Sequence, residues 1–570
     1  MSDDLENIGN SEVPSDVTPS EGSTQPDKRQ GKGYALLSVL LLVGIGLLGG
    51  LLIGSLHSKR NNVTIEPLYS DQVNAVLQTI EDHYVENIDI DSLTTIMIQS
   101  TLASLDPHSN YLTAKEAAKE DEQIRGNFEG IGATLIKRND TIVVVNVFEE
   151  SPARKAGLRT GDCILSVDGV AITGVEMAMD EAVKHIRGPH HTQAFLTVLR
   201  HGEKKARNII VTRDVIDNPS LVLSAMMDNE VGYIRINNFS STTYKEFCKA
   251  VASLKASGMK DLILDLRDNS GGLLHTAIQL IDELLPGNEL IMYSEGAHQS
   301  RRVFHSKPGG LFVEGRLAVM INEFSASASE VVSGAIQDND RGIIVGRRSF
   351  GKGLVQQEYS LPDRSVLMLT VAHYFTPSGR CIQRSYKDGI DEYYASFVGQ
   401  ILTDYETDSI HAIVNDSTPY YTQKGRVVYG GGGIFPDHVI RHRNDASYNY
   451  CYMLQSRYVF SDVSTDYVTR HYDELVKAYP TRDAFLKNYT PNQAYIDLMV
   501  ADAKRKGVAY DAAGMKAHRD EILCLLKAHT GSLLYSGDTY YRILYRTDNE
   551  IADCLRLLKA QPRYRQSTKR

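Results

Sequence analysis

Residues 321–330 have the sequence INEFSASASE. It begins at the end of an apolar run and leads into the spacing of an amphipathic helix. A serine at such a strand-to-helix turn can expose its hydroxyl, and the N–H groups that follow it lie at a helix N-terminus, where negative charge is stabilised. The pattern suits a serine nucleophile beside an oxyanion-binding N–H. Serines that only cap the helix would give the same pattern.

Strands and helices alternate on both sides of this stretch. Before it, the sequence predicts a strand at Gly232–Ile236, a helix at Thr243–Lys255 and a strand at Leu262–Leu266. Around it, strands are predicted at Leu317–Ile321 and Ile343–Val345, with a helix at 328–336 between them. Alternation of this kind indicates an α/β core.

A lysine downstream offers the base that a serine needs. Lys352 stands in GKGLVQQ, residues 351–357. A lysine can act as a general base if burial keeps it neutral, and Gln356 could hold its amine by a hydrogen bond. An ordinary exposed lysine is the alternative interpretation. Upstream, LDLRDNSGG (264–272) ends a buried strand in a glycine pair that permits close backbone approach; its N–H could be a second oxyanion donor, or the segment could be a plain turn.

Two other motifs in this region are incomplete. Residues 346–352 match most of a phosphate-binding loop, but Gly353 replaces the serine or threonine that holds Mg²⁺, and a strand is predicted to follow. Residues 349–352 fit SxxK without its companion motifs. A nucleotide-dependent enzyme is therefore disfavoured.

A 23-residue uncharged segment, residues 34–56, is long enough as a helix (about 34 Å) to cross a bilayer. Three cations precede it and two follow it, a weak signal for a cytoplasmic N-terminus. No small-residue cleavage site follows, so we expect an uncleaved anchor. Residues 1–33 are rich in Ser, Asp, Glu and Pro and are predicted to form a disordered cytoplasmic tail.

Composition excludes several classes of protein. The net charge of −10 disfavours a nucleic-acid binder. Six cysteines in 570 residues, without a CxxC pair, exclude a disulfide scaffold and a zinc ribbon, and HExxH is absent. We expect neither a metal nor a cofactor.

Several motifs in order resemble the carboxy-terminal processing proteases, the tail-specific serine proteases of peptidase family S41. They are SLDPHS (104–109), DLR through GG (265–272), SASASE (325–330), GKG with Gln356, TPSGR (376–380) and GIFPD (433–437). The resemblance covers roughly residues 70–385 and 425–442. It implies that Ser327 is the nucleophile, Lys352 the general base and Gln356 the residue that positions Lys352. It also implies an oxyanion hole from the N–H groups of Gly271 and Ala328, with Gly272 an open alternative to Gly271.

The β-rich region before the core resembles a PDZ domain, the substrate reader of the family. The residues that look like its carboxylate-binding loop are Gly130, Ile131, Gly132 and Ala133. Successive N–H groups there can hold a terminal carboxylate while a peptide pairs with the strand Ala133–Ile136. Met177 and Val183 are predicted to border an apolar side-chain pocket.

The predicted fold is a multidomain α/β protein: an S41 protease core with an α/β sheet, a β-rich PDZ domain, an N-terminal membrane helix and a C-terminal helical extension. Its predicted parts are 1–33 (tail), 34–56 (transmembrane anchor), 66–118 (helical region), 119–213 (PDZ domain), 214–445 (protease core) and 446–570 (helical extension). The extension and the 386–425 insertion could restrict access, bind a partner or add a docking surface.

The predicted function is a membrane-anchored serine endopeptidase that recognises C-terminal tails through its PDZ domain and cleaves with a Ser-Lys dyad. A catalytically silent PDZ scaffold is the alternative, which the intact Ser327, Lys352 and Gln356 disfavour. Predicted partners are proteins or peptides with accessible C-termini and the inner membrane, with the catalytic part in the periplasm. No nucleic acid is expected, and a homo-oligomer or an adaptor protein stays open.

Overall fold

The computed structural model describes residues 61–62, 70–404, 418–441, 448–535 and 537–564. These residues belong to one unit, 45–570. In the part of the chain that is described, no helix combines the length and the apolarity needed to cross a bilayer. The predicted tail (1–33) and anchor (34–56) lie outside the described residues.

The segment before the PDZ-like region is mainly helical. Its elements are β1 (Asn61–Asn62), α1 (Ser70–His83), α2 (Ile90–Ala103), β2 (Asn110–Leu112) and α3 (Ala114–Arg125). A capping box between Thr113 and Glu116 starts α3, and Gly126, in the left-handed region at φ 71°, ends it. The turn between α2 and β2 carries the predicted SLDPHS motif, and β2 pairs with a strand of the core, β19, described below.

A small β sheet with two short helices follows. The elements are β3 (Asn127–Gly130), β4 (Ala133–Arg138), β5 (Thr141–Val147), α4 (Pro152–Lys155), β6 (Cys163–Val167), β7 (Val170–Ala171), α5 (Met179–Ile186), β8 (Gln193–Leu199), β9 (Arg207–Thr212) and β10 (Asp214–Asp217). The sheet order is β4-β5-β6-β8-β9, with β7 paired to β6 and β4 at an edge. Alternating apolar residues of these strands form a separate hydrophobic core with Ala182 and Ile186 of α5. The antiparallel pair β3–β10 joins the two ends of the region.

The protease-like core contains two sheets. Its elements are β11 (Leu221–Met226), β12 (Val231–Ile236), α6 (Thr243–Ala256), β13 (Asp261–Asp265), α7 (Leu274–Asp282), β14 (Leu290–Gly296), β15 (Gln299–His305), β16 (Leu317–Ile321), α8 (Ala328–Asp338), β17 (Ile343–Gly346), β18 (Leu354–Ser360), β19 (Val366–Phe375), α9 (Ile390–Asp404), β20 (Pro419–Tyr421), β21 (Val427–Tyr429) and β22 (His438–Val439). The central sheet has the order β11-β12-β13-β16-β17-β22 and is parallel except for β11. The second sheet runs β1-β18-β19-β14-β15.

The central strands β13 and β16 are buried at every position, as expected for parallel strands covered on both faces. One face packs on α6, α7 and α8 through residues such as Phe247, Leu280 and Val332. Because α8 is also buried at every position, the turn before it is enclosed by protein.

The C-terminal extension consists of helices: α10 (Tyr448–Ser456), α11 (Val459–Ala478), α12 (Arg482–Asn488), α13 (Gln493–Arg505), α14 (Ala512–Ala517), α15 (Arg519–Tyr535), α16 (Asp538–Leu544) and α17 (Asn549–Ala560). The last of them covers the second face of the central sheet. Ile551, Cys554 and Leu558 of α17 share a buried cluster with Tyr233 of β12 and Met320 of β16. The extension therefore supplies a layer of the core α/β sandwich.

The extension also contacts the PDZ-like region. Arg138 at the end of β4 pairs with Asp462 and Asp466 of α11, and Thr160 Oγ1 donates to the Leu533 carbonyl oxygen of α15 at 3.0 Å. The same group of helices thus touches both the PDZ-like sheet and the central sheet.

Candidate active site

Ser327 occupies a strained turn between β16 and α8. Its backbone has φ 54° and ψ −113°, a left-handed conformation that is rare for a residue with a side chain. Strain of this kind is typical of a nucleophile held at a strand-to-helix turn. Ser327 is 1 % exposed, and its buried hydroxyl has no hydrogen-bond partner among the residues that the structure describes.

The neighbouring serines of the motif have structural partners. Ser325 Oγ accepts from the Asn322 N–H and donates to the Leu266 carbonyl at 2.8 Å. Ser329 Oγ donates to the Asn269 carbonyl at 2.9 Å. Of the three serines, Ser327 is the one whose hydroxyl is not engaged, which separates it from a serine that only stabilises the turn.

Lys352 is buried in the loop between β17 and β18. It is 1 % exposed, and its Nζ donates to Gln356 Oε1 at 2.7 Å. Gln356 Nε2 in turn donates to the carbonyl oxygen of His108, in the SLDPHS motif. The motif before the PDZ-like region therefore fixes the orientation of the amide that contacts the lysine.

Burial lowers the pKa of Lys352 well below its ordinary value. The carboxylates of Asp106, Glu330 and Glu120 act in the opposite direction. Burial, followed by the nearby Lys352, also holds the pKa of His108 well below the ordinary histidine value. A lysine with a depressed pKa can accept a proton near neutral pH.

Glu330 connects the serine turn to the lysine loop. It is fully buried, and its Oε2 accepts from the main-chain N–H groups of Ser327 and Lys352, each at 2.9 Å. Its Oε1 accepts from the Gly351 N–H at 2.7 Å and from Ser349 Oγ. Since one oxygen holds the main chains of both Ser327 and Lys352, the two residues are close neighbours. Burial raises the pKa of Glu330 to about 7, against the lowering effect of these four donors.

The glycine pair lies against the serine turn. A Cβ at Gly271 would be 2.8 Å from Ser327 Cβ and 3.1 Å from Ala328 N, so only glycine fits there. Ala328 is the first residue of α8, where an N–H has no partner within the helix.

The Gly271 N–H donates to Asn269 Oδ1 at 2.9 Å, so in this conformation it is not open to a substrate oxygen. The Gly271 carbonyl accepts from the Phe239 N–H at 2.8 Å. Because N–H and C=O point in opposite directions across a trans peptide, the Gly272 N–H faces away from Phe239. The expected second oxyanion donor at Gly271 is therefore occupied, whereas the N–H of the open alternative, Gly272, has no such hydrogen bond within the described part of the chain.

Family models match three parts of the chain. Residues 230–394 match peptidase family S41, residues 143–200 match the PDZ domain, and residues 450–536 match a family of unknown function, DUF8443. The chain is 34 % identical over 349 residues to the carboxy-terminal-processing protease of Bartonella bacilliformis, covering 60 % of this chain and 80 % of that relative. The chain belongs to the carboxy-terminal processing proteases of peptidase family S41. It is thus a serine peptidase that carries a PDZ domain.

Other members of the family are similar to this protease over a comparable length. The carboxy-terminal processing protease CtpA of Bacillus subtilis is 35 % identical over 315 residues, which is 55 % of this chain and 66 % of the relative. Among solved structures, the photosystem II D1 C-terminal processing protease is 27 % identical, with a TM-score of 0.30 and coverage of 54 % of this chain and 83 % of that one. The PDZ domain of the Vibrio cholerae carboxy-terminal protease, solved in complex with a peptide, is 31 % identical with a TM-score of 0.15, covering 16 % of this chain and 97 % of that domain.

In the PDZ domain of this protease, the predicted carboxylate loop lies between β3 and β4. The carbonyls of Ile131 and Gly132 accept from the N–H groups of Ala153 and Phe148, so the N–H groups of Gly132 and Ala133 point away from these contacts. Gly132 has φ 75°, and a Cβ there would be 2.4 Å from Ser151 Cβ.

The four predicted loop residues do not share one environment. Gly130 belongs to β3 and pairs with Asp214 of β10. Ala133 begins β4, which is the edge strand of the sheet in the described part of the chain. Met177 packs against the PDZ core, and Val183 lies half-buried on α5.

Three residues that contribute to the site have no assigned role in the sequence interpretation. Glu330 was recognised as part of the motif only, although its spacing of three from Ser327 is that of a capping-box glutamate. The sequence interpretation includes His108 only as part of the SLDPHS motif. In the structure its carbonyl oxygen accepts a hydrogen bond from Gln356. No local pattern indicates that Glu120 of α3 lies within electrostatic range of Lys352.

Proposed function

We propose that this protease cleaves the C-terminal tails of protein substrates with a Ser327–Lys352 dyad, positioned by Gln356. The observation that carries the proposal is a buried lysine with a strongly lowered pKa, whose main-chain N–H shares Glu330 Oε2 with that of Ser327. Ser327 has a strained backbone, and its hydroxyl has no hydrogen-bond partner among the described residues. Lys352 Nζ bonds to Gln356 rather than to Ser327. Catalytic hydrogen bonds commonly tighten only when substrate is bound, and the shared contact to Glu330 keeps the two residues together.

The mechanism follows from these positions. Neutral Lys352 takes the hydroxyl proton of Ser327 as Oγ attacks the peptide carbonyl. The oxyanion receives hydrogen bonds from the N–H groups of Ala328 and Gly272, because the Gly271 N–H is occupied by Asn269. Each such donor contributes on the order of 3 kcal/mol to transition-state stabilisation. Protonated Lys352 then gives its proton to the leaving amine, and a water molecule, deprotonated by the same lysine, releases the acyl group from Ser327.

Substrate selection is assigned to the PDZ domain. A C-terminal carboxylate would bind the outward N–H groups of Gly132 and Ala133, while the preceding residues add a strand to the open edge of β4. The apolar residues Met177 and Val183 next to α5 would favour an apolar C-terminal side chain. The polypeptide then enters between the PDZ domain and the core.

The location is also proposed. Residues 34–56 would anchor the chain in the cytoplasmic membrane, with the catalytic part in the extracytoplasmic space. Alkaline extraction of membranes should leave the full chain in the membrane fraction, and protease added outside the cell membrane should degrade the part after residue 60. Release by alkaline extraction would refute the anchor.

The dyad is tested with the full chain purified in mild detergent and an unfolded model protein carrying either an apolar or a charged C-terminus. We expect Ser327→Ala and Lys352→Ala to abolish cleavage while circular dichroism stays that of the wild type. Lys249→Ala, at an exposed lysine of α6, is the control and should cleave normally. Cleavage by purified Lys352→Ala would refute the assigned base.

A further inference from the structure

The last helix of the extension reaches the two loops that carry the active site. Glu550, in the first turn of α17, places Oε2 at 2.8 Å from Arg267 Nη1 and Oε1 at 2.6 Å from Arg347 Nη1. Asp548, which caps α17, lies 2.9 Å from Arg267 Nη2. One carboxylate of the extension thus bridges two arginines that are far apart in sequence.

Each of these arginines belongs to a catalytic loop. Arg267 follows β13 and leads to the glycine pair, four residues before Gly271. Arg347 follows β17 and lies five residues before Lys352. Both side chains are nearly buried, with 7 % and 9 % exposed. Each of the two loops contains two glycines, Gly271 and Gly272 in one and Gly351 and Gly353 in the other.

Each of these two arginines also pairs with a carboxylate of the core. Asp265 pairs with Arg267 at 2.6 Å, and Glu323 pairs with Arg347 at 2.8 Å. Asp265 is also shared with Arg235 at 3.2 Å. Burial acts to raise the pKa of Glu550, but Arg347 and Arg267 outweigh it and keep that pKa below its ordinary value, so the carboxylate is charged at neutral pH.

We propose that Glu550 is a positioning residue of the protease, which holds the oxyanion loop and the lysine loop at a fixed separation around Ser327. This inference rests on the proposed dyad and deepens it. Glu550 makes one charge-assisted hydrogen bond to each arginine, and such bonds are about twice as strong as those between neutral groups. Because a displacement of about 1 Å at reacting groups can cost about 100-fold in rate, loosening these two loops acts on the chemical step.

The pH dependence of the cleavage rate distinguishes a positioning role of Glu550 from a role in fold stability alone. The groups that face Lys352 are Asp106 and His108 from the turn after α2, Glu120 from α3 and Glu330 from α8. Glu550 is not among them. If the lysine loop loosens, water reaches Lys352, its pKa rises, and the acidic limb of the rate profile moves to higher pH.

The test compares the full-length wild type with Glu550→Gln, which keeps the shape of the side chain and removes its charge. We expect kcat for a peptide substrate to fall about 10- to 100-fold, KM to change less than about twofold, and the acidic limb to move upward. Asp553→Asn is the matched control, because Asp553 pairs with Arg556 on the exposed side of the same helix. It should leave kcat, KM and the position of the acidic limb unchanged. Glu550→Asp, which keeps the charge, should recover part of kcat.

All variants are assayed at a temperature well below their own midpoint of thermal unfolding. Binding of a C-terminal peptide shows that the PDZ domain is folded. A Glu550→Gln variant with wild-type kcat and an unmoved acidic limb would overturn the proposal. If Glu550→Gln does not fold, Glu550→Asp decides: a wild-type kcat would overturn it, and a reduced kcat with unchanged KM supports it. Failure of the wild type itself to cleave, or cleavage by Ser327→Ala, would instead refute the proposed function.

Discussion

Replacing Glu330 by glutamine tests whether this carboxylate joins the nucleophile to the base. Glu330 accepts four hydrogen bonds: from the N–H groups of Ser327 and Lys352 at one oxygen, and from the Gly351 N–H and Ser349 Oγ at the other. Glutamine keeps one acceptor oxygen. In its best orientation, the glutamine oxygen keeps the hydrogen bonds from the N–H groups of Ser327 and Lys352. Its NH₂ group then faces Ser349, whose hydroxyl can accept a hydrogen bond.

That orientation leaves one buried main-chain N–H, that of Gly351, without an acceptor. An unsatisfied buried donor costs about 1–3 kcal/mol, so we expect Glu330→Gln to lower the free energy of unfolding by about that amount. Glu330→Ala would leave four donors unsatisfied and cost at least about 4 kcal/mol, a large share of a typical folding free energy. Glu330→Gln should keep part of the activity because the serine and lysine contacts survive.

The pH dependence has a definite sign. Burial raises the pKa of Glu330 to about 7 from an ordinary 4.5, so its contribution to stability is complete below about pH 4.5 and is lost as pH rises to 7. The loss corresponds to about 3 kcal/mol. Glutamine does not titrate, so the destabilisation caused by Glu330→Gln should be smaller at pH 8 than at pH 5.

Urea unfolding at both pH values measures these differences, and labelling of Ser327 by a serine-reactive phosphonate measures activity. Glu181→Gln, at an exposed glutamate of α5, is the control and should match the wild type. Equal stability of Glu330→Gln, Glu330→Ala and the wild type would refute the role assigned to this carboxylate.

Three further substitutions test other parts of the argument. Lys352→Arg should fold but lose activity, because a guanidinium cannot give up its proton near neutral pH; turnover in a peptide assay at any pH up to 9 would contradict this. Gln356→Glu places a carboxylate beside the amine, so the pKa of Lys352 should rise and the acidic limb of kcat/KM should move to higher pH, a shift that pH profiles detect; an unmoved limb would argue against Lys352 as base. Arg138→Ala removes partly exposed pairs to Asp462 and Asp466 and should change stability by less than about 1 kcal/mol, while hydrogen exchange in β4 becomes faster; unchanged exchange would mean that the extension does not hold the PDZ domain.

The alternation of strands and helices could be predicted because it depends on local patterns. The apolar residues Leu262–Leu264 of β13 and the five apolar residues of β16 predict buried strands directly, and α8 begins at Ala328 as predicted. The turn at Ser327 could be recognised for the same reason, since small residues between a strand and a helix are contiguous in sequence.

The environment of the lysine could not be predicted in this way. Burial of Lys352 depends on Gln356 in β18, on His108 far upstream and on Glu330 in α8, which meet only in the folded chain. Whether Gly271 or Gly272 offers a free N–H depends on a hydrogen bond from Gly271 to a side chain, which spacing does not encode.

The surface on which the last helix packs could not be predicted from the sequence either. Ile551, Cys554 and Leu558 recur at helical spacing and form the buried face of α17. This face packs against β12 and β16, which lie more than 200 residues earlier in the sequence. The ion pair between Arg347 and Glu550 likewise joins residues 203 positions apart.

That separation has a consequence for the timing of synthesis. Translation at about 5–20 residues per second needs about 10–40 seconds to add the 203 residues between Arg347 and Glu550. During that interval a growing chain already contains its serine turn and lysine loop, yet it lacks the helix that covers the second face of the sheet behind them. A new molecule thus acquires the helix that supports its active site only after the ribosome has made the catalytic residues themselves.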